Sequence, residues 1–141
     1  AIANKGYYIT PHFNRNDSMK SDIHTTLVDS THFDVIHRGM ARVMTDGTGR
    51  WYNIPELQMC GKTGTVQNPH GEDHALFIGF APKDNPQIAV AVAVENAGFG
   101  ATWACPMATL VMEQYLTGEI KRNALYERMV NANLIDKSDE E

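Results

Sequence analysis

The sequence predicts an α+β fold in which three antiparallel strands carry helices packed on the sheet. Three observations lead there. Apolar residues recur at helical spacing over residues 33–44 and again over about 103–117. Between these helices lie three extended runs separated by turn sequences. One of them, Ile88-Ala-Val-Ala-Val-Ala-Val94, alternates β-branched residues with alanine and is the clearest strand in the chain.

Taken in order, residues 1–5 read as the end of a helix closed by Gly6. The chain opens without an initiator Met, so a processed, trimmed or excised segment is expected. Tyr7-Tyr8-Ile9 is extended, and Pro11 stops it. Residues 14–30 are polar and aperiodic and read as a long surface connection, of a length that is often functional or held against another element. Thr31 with Asp34 three residues on matches a capping box. Phe33, Ile36, Met40, Val43 and Met44 continue that helix until Asp46-Gly47-Thr48-Gly49 ends it. Pro55 bars an early start for the next strand, which is expected over 58–68. Asn68-Pro-His-Gly-Glu-Asp73 turns the chain back into 74–81, a hairpin with a longer loop. Pro82-Lys-Asp-Asn-Pro86 turns it again into 88–94. Neither face of that third strand is polar, so both should be covered, and its alanine face should admit a helix closely. A helix from about Trp103 to Thr117 ends at Gly118, and a last helix spans roughly Lys121–Asn133. Residues 1–133 thus make up the folded part, and 134–141 are expected to be a disordered acidic tail.

Composition narrows the function classes. With 141 residues the chain is the size of one domain and can bury a real core. Its 43% hydrophobic and 21% charged content is ordinary for a soluble globular protein. No apolar run approaches the ~20 residues a membrane span needs, and no secretory signal opens the chain. A net charge of −5 argues against nucleic acid or an anionic membrane surface as partner. Cys60 and Cys105 read as buried free thiols in preference to a disulfide, although the sequence leaves their pairing open, and two cysteines define no compartment. The six histidines show no zinc-ligand spacing, and His70 and His74, flanking a turn, read as surface residues. No metal or cofactor is implied.

The stretch that carries chemistry is Gly61-Lys62-Thr63-Gly64-Thr65-Val66-Gln67. A phosphate-binding loop would need glycine at position 56, which is Glu56, and a helix directly after the Lys-Thr pair; a strand follows instead. On a strand, Thr63 and Thr65 share one face, with hydroxyls about 7 Å apart, a spacing able to clamp a carboxylate or carbonyl of an extended ligand. Gly64 between them lets a peptide lie flush along the strand. Lys62 adds a fixed positive charge that would draw a substrate carboxylate or ease proton movement nearby. A peptide at the strand edge would bind by main-chain hydrogen bonds. Alone the tetrapeptide is weak, because a surface lysine followed by a glycine bulge would look the same.

Its context is more specific. Ala1-Ile-Ala-Asn-Lys-Gly6 with Pro11, Val35–Met40 through Asp46-Gly47-Thr48-Gly49, Cys60–Gln67, His74–Pro82 and Ile88–Glu95 with Gly98-Phe99-Gly100 and Ala104-Cys105-Pro106 occur in the order seen in one family. The chain resembles the C-terminal part of the transpeptidase domain of class B penicillin-binding proteins, and among them the elongation type. The resemblance implies a partial penicillin-binding or serine β-lactamase-like transpeptidase fold. It implies that Thr63 and Thr65 bind the terminal carboxylate of a D-Ala-D-Ala stem peptide or a β-lactam. The backbone N–H of Thr65 would supply half an oxyanion hole, Lys62 would contact the serine of the second family motif and tune the local field, and Gly64 would leave room for substrate.

The family also needs Ser-x-x-Lys for the nucleophile and Ser-x-Asn for its second motif. The four serines, Ser18, Ser21, Ser30 and Ser138, fit neither pattern. The expectation is therefore a fragment that begins after both motifs and is inactive alone. Its parent would be a peptidoglycan D,D-transpeptidase, anchored upstream, on the periplasmic side of the bacterial inner membrane, in an elongation complex. The family's first strand, which borders the last of the three strands, would be absent, so Ile88–Val94 is expected to be an open apolar edge prone to self-association. Two alternatives stand beside this reading. One is a non-catalytic peptide-binding module with the same sheet, and the other is a β-lactamase relative.

Overall fold

The computed structural model describes residues 1–11 and 22–135. Two short strands, β1 (Tyr7–Ile9) and β2 (Ile23–Thr25), precede helix α1 (Ser30–Thr45). Single 3-10 turns at Arg50–Tyr52 and Pro55–Leu57 lead into β3 (Cys60–Val66), β4 (His74–Ala81) and β5 (Ile88–Val94). Helices α2 (Ala104–Thr117) and α3 (Asn123–Val130) complete the order. The α+β prediction with a three-stranded antiparallel sheet holds.

The first six residues have the hydrogen-bond pattern that closes a helix. Lys5 N–H donates to Ile2 O and Gly6 N–H to Ala1 O, both at 3.0 Å, with Lys5 at φ 52°. His37 Nε2 meets Ile2 O at 2.8 Å, and Lys5 Nζ reaches Asp34 at 2.7 Å, so the segment is pinned along α1.

Two expectations change here. Within the supposed connection of residues 14–30, β2 pairs antiparallel with β1, Tyr7 opposite Thr25, and Tyr8 stacks on His24 at 4.9 Å between ring centroids. Residues 12–21, which include the first part of that connection, and 136–141 of the acidic tail lie outside the described residues. The helix cap is Asp29, whose carboxylate accepts from Thr31 N–H at 2.8 Å, so α1 starts before Thr31 and Asp34 is free to take Lys5. The Thr31 backbone donor holds the Asp29 carboxyl below its ordinary value, and the Lys5 hydrogen bond does the same for Asp34.

The sheet runs β3-β4-β5. β3 begins at Cys60 rather than 58 because Gln58 sits in the left-handed region (φ 48°) as the close of the preceding turn. It stops at Val66 because Asn68 N–H already bonds the Asp73 carboxylate across the hairpin loop. The register sets Cys60 opposite Phe80, Lys62 opposite Ile78 and Thr63 opposite Phe77, and directly opposed residues share a face. One face therefore carries Thr63, Thr65, Ala75, Phe77 and the valines of β5. The other carries Cys60, Lys62, Ile78, Phe80 and the alanines of β5.

α2 packs on the valine face. Phe77, Ala75, Ala81, Ala104, Cys105, Ala108, Met112, Met44 and Met59 form the main core. The expected close helix contact is thus made on the opposite face, because α2 brings its own small residues, Ala104 and Ala108. Ala89, Ala91 and Ala93 are exposed instead, a second departure from the covered strand that was expected. Gly118 (φ 81°) caps α2 with its N–H on Gln114 O. α3 is shorter than residues 121–133 because Lys121 and Arg122 are held by α2. Glu113, 4% exposed, accepts Arg122 Nε at 2.8 Å and Lys121 N–H at 3.0 Å.

Both cysteines are free and buried. Cys60 lies with Met40 and Phe80 on one face and Cys105 with the main core on the other, so the sheet separates them. Burial pushes the Cys60 thiol up to about 11 and that of Cys105 to about 12. Among the described residues no group of histidine, cysteine and carboxylate side chains could hold a metal ion, and no helix is long and apolar enough to cross a membrane.

Candidate functional site

Among the described residues β3 is a terminal strand, paired to β4 on one side only. α1 runs beside it: Met40 joins Cys60 and Phe80 on one face, while Met44 joins Phe77 on the other. An element that touches both faces must pass the strand's outer side. The Lys62–Thr65 stretch follows directly, with Lys62 and Thr65 exposed and Thr63 and Gly64 half-buried.

The structure places the four predicted residues together on one strand but on two faces. Thr63 and Thr65 point to the α2 face, and Lys62 to the other. Lys62 Nζ donates to Thr63 O at 2.5 Å. Thr63 Oγ1 lies 2.9 Å from Thr48 Oγ1, in the turn after α1. Thr65 presents an exposed hydroxyl. The stretch is therefore a strand edge bearing one cation, one hydroxyl held by a neighbour and one open hydroxyl, a set able to receive an anionic, extended ligand.

Gly64 has a second physical reason to be glycine. A Cβ there would sit 3.2 Å from Leu76 Cβ on the paired strand. Behind the same pair stands Gly100, where an added Cβ would fall 2.3 Å from both Gly64 O and Leu76 O. The 98–100 segment is thus seated on the backbone of the motif strand, from the side where Cys105 N–H of α2 bonds Gly100 O at 2.8 Å. A polar knot ties this segment to the hairpin end. Gly98 N–H donates to Asp73 O at 2.7 Å, Asn68 Nδ2 to Asn96 Oδ1 at 2.7 Å, and Asn96 N–H to His74 Nδ1 at 3.0 Å.

Thr48 and Gly100 are the neighbours that reading the strand alone does not supply. A threonine in a Gly-Thr-Gly turn carries no local sign that it meets Thr63. The Gly98-Phe99-Gly100 spacing signals a close backbone approach but not to which strand.

The family model of the penicillin binding protein transpeptidase domain matches residues 1–113. A protein named peptidoglycan D,D-transpeptidase MrdA from Haemophilus influenzae is 31% identical over 154 residues, covering 89% of this chain and 23% of that protein. Its namesake from Acinetobacter baumannii is 36% identical over 96 residues, covering 57% and 14%. Among solved structures, Pseudomonas aeruginosa PBP2 in complex with WCK 5153 aligns with a TM-score of 0.69 at 36% identity, covering 86% of this chain and 29% of that one. Penicillin-binding protein A from M. tuberculosis, as its ceftriaxone acyl-enzyme complex, aligns with a TM-score of 0.72 at 26% identity over 82% and 30%. The chain spans less than a third of the length of each of these relatives.

Proposed function

This chain belongs to the penicillin-binding-protein transpeptidase family, among the class B proteins, and we propose that it is one wall of the active site of a peptidoglycan D,D-transpeptidase of the elongation type. The observation that carries this reading is the Lys62-Thr63-Gly64-Thr65 run on the terminal strand β3, its two threonines on one face.

In the whole enzyme a serine from outside this chain attacks the carbonyl of the penultimate D-Ala. The oxyanion of the tetrahedral intermediate takes a hydrogen bond from Thr65 N–H. The C–N bond then breaks, the terminal D-Ala leaves as an amine with the serine's proton, and an acyl-enzyme ester remains. An acceptor amine attacks that ester, forms the cross-link and passes one of its own protons to the leaving serine oxygen. The hydroxyls of Thr63 and Thr65 hold the substrate's terminal carboxylate through the first step, with Thr48 orienting Thr63. Lys62 supplies positive potential beside the serine of the second motif. A β-lactam would enter by the same contacts and be trapped as its acyl-enzyme. The whole protein would work on the periplasmic side of the inner membrane, anchored by a segment outside this chain.

The four serines of this chain lack the Ser-x-x-Lys and Ser-x-Asn contexts, so the chain alone is inactive in this reading. Mass spectrometry after incubation with a labelled penicillin is expected to show no adduct on it. In the full gene product Thr63→Val and Thr65→Val should each slow acylation by roughly 10- to 100-fold, the worth of one hydrogen bond to a charged group. A stable adduct on this chain, or unchanged acylation in both variants, overturns the reading.

A further inference from the structure

The polar knot at the hairpin end holds the segment between β5 and α2, and that segment bears on the motif strand at Gly100. An added Cβ at Gly100 would fall 2.3 Å from Gly64 O. Gly64 O and Thr65 N–H belong to one planar trans peptide unit and point in opposite directions. Whatever fixes the tilt of that unit at its carbonyl also fixes the aim of the N–H at its other end. Gly100 is therefore seated behind the group that would donate to an oxyanion.

The path that brings Gly100 there is not one the chain takes unaided. Asn96 stands in the left-handed region at φ 52°, which asparagine tolerates better than most residues, and Gly98 follows at φ 77°. Three hydrogen bonds hold these two residues. Asn96 N–H donates to His74 Nδ1 at 3.0 Å, Asn96 Oδ1 accepts from Asn68 Nδ2 at 2.7 Å, and Gly98 N–H donates to Asp73 O at 2.7 Å. A backbone amide only donates, so Nδ1 is the bare nitrogen of the His74 ring and the proton sits on Nε2. All three partners stand at the open end of the β3–β4 hairpin. His74 opens β4 opposite Val66, Asp73 precedes it, and Asn68 lies two residues past the end of β3. Asn68 is itself tied to Asp73, whose carboxylate accepts its N–H at 3.1 Å. The hairpin that carries Thr65 thus also sets the segment that backs it.

We propose that His74 and Asn96 are positioning residues for the Thr65 N–H, acting through the 96–100 segment on the Gly64–Thr65 peptide; this rests on reading Lys62–Thr65 as the wall of a transpeptidase site. The test uses the full gene product. His74→Ala removes the acceptor, and His74→Asn restores one, because asparagine Oδ1 stands where Nδ1 stood. His74→Ala should slow acylation by a saturating labelled penicillin roughly 10- to 100-fold, the effect of displacing a reacting group by up to about 1 Å. The dissociation constant of the complex before acylation should move less than about threefold, since the Thr63 and Thr65 hydroxyls still hold the carboxylate. His74→Asn should recover most of the rate. Asn96→Gly keeps the left-handed backbone, loses the tie to Asn68 and should cost at least about threefold in the same rate. Amide exchange followed by mass spectrometry should show weaker protection of residues 60–66 and 95–100 in His74→Ala and wild-type protection in His74→Asn. Thermal melts establish that each variant is folded, and if His74→Ala is not, Asn96→Gly carries the comparison. An unchanged rate in the folded variants, equal rates in His74→Ala and His74→Asn, a loss confined to the dissociation constant, or unchanged exchange at 60–66 each overturns the proposal. A wild-type product that forms no adduct instead overturns the transpeptidase reading beneath it, and the exchange data still report whether the knot holds the Gly64–Thr65 peptide.

Discussion

Gly100→Ala is the substitution that most directly tests how the motif strand is held. Gly100 does not occupy the left-handed region, so alanine suits its backbone and the cost is steric alone. The new carbon would lie 2.3 Å from Gly64 O and Leu76 O and 3.1 Å from Gly64 N. Ordinary contact begins near 3.4 Å, so the 98–100 segment must retreat by about 1 Å from two backbone carbonyls that are themselves locked in the β3–β4 ladder. The retreat also strains Gly98 N–H to Asp73 O and Cys105 N–H to Gly100 O, the bonds that fix the segment at either end. Overpacking of this kind costs about 1–3 kcal/mol, and rigid backbone on both sides places this case near ~3 kcal/mol. For a chain of this size that is a fall in Tm of roughly 10 °C. Urea unfolding followed by tryptophan fluorescence, with amide chemical shifts of Gly64 and Thr65, measures both effects. A loss below ~1 kcal/mol with unmoved amides at 64 and 65 would refute the claim that Gly100 is seated on the motif strand.

Gly39→Ala is the complementary case: it lies exposed inside α1 with nothing within 4 Å of an added Cβ, and should stabilise by about 0.5–1 kcal/mol in the same unfolding assay. Glu113→Ala strips the carboxylate from Arg122 and from Lys121 N–H, leaving Arg122 only its neutral acceptors Tyr52 O and Thr109 Oγ1, and a loss of about 3–5 kcal/mol with weakened exchange protection in α3 is expected from leaving a largely buried cation without its counter-charge. Cys60 and Cys105, raised to about 11 and 12, hold very little thiolate near neutrality. At pH 8 the folded chain should react with a disulfide reagent at least about 100-fold slower than the urea-unfolded chain, the rate rising with pH as thiolate forms.

The strands at 74–81 and 88–94 were legible to the residue, because the proline-bearing turns Asn68–Asp73 and Pro82–Pro86 bracket them. Gly118 marked the end of α2 as clearly. What escaped depends on distant partners. β2 is three residues in an aperiodic stretch and exists by pairing with Tyr7–Ile9, which no local pattern announces. Asp29, Ser30 and Thr31 are all competent caps, so sequence could not choose among them, and the choice fell to the one whose carboxylate meets Thr31 N–H. No local pattern marks Glu113 as buried; its carboxylate is satisfied inside because Arg122 returns to it from beyond Gly118. At the site the Lys62–Thr65 run was visible as a motif on a strand. Its support from Thr48 and Gly100 was not, since those residues converge through the packing of α1 and of the loop before α2.

The pinned first turn has a practical use. Hydrogen bonds from Lys5 to Asp34 and from His37 to Ile2 O fix Ala1–Ala3 at the rim of the hollow that also contains Ala89 and Ala91. A fluorophore coupled to a cysteine placed at Ala1 would therefore stand at a defined vantage point over the alanine face, its emission reporting whatever comes to lie against β5 without any change to the strand itself, while the buried native thiols stay unlabelled.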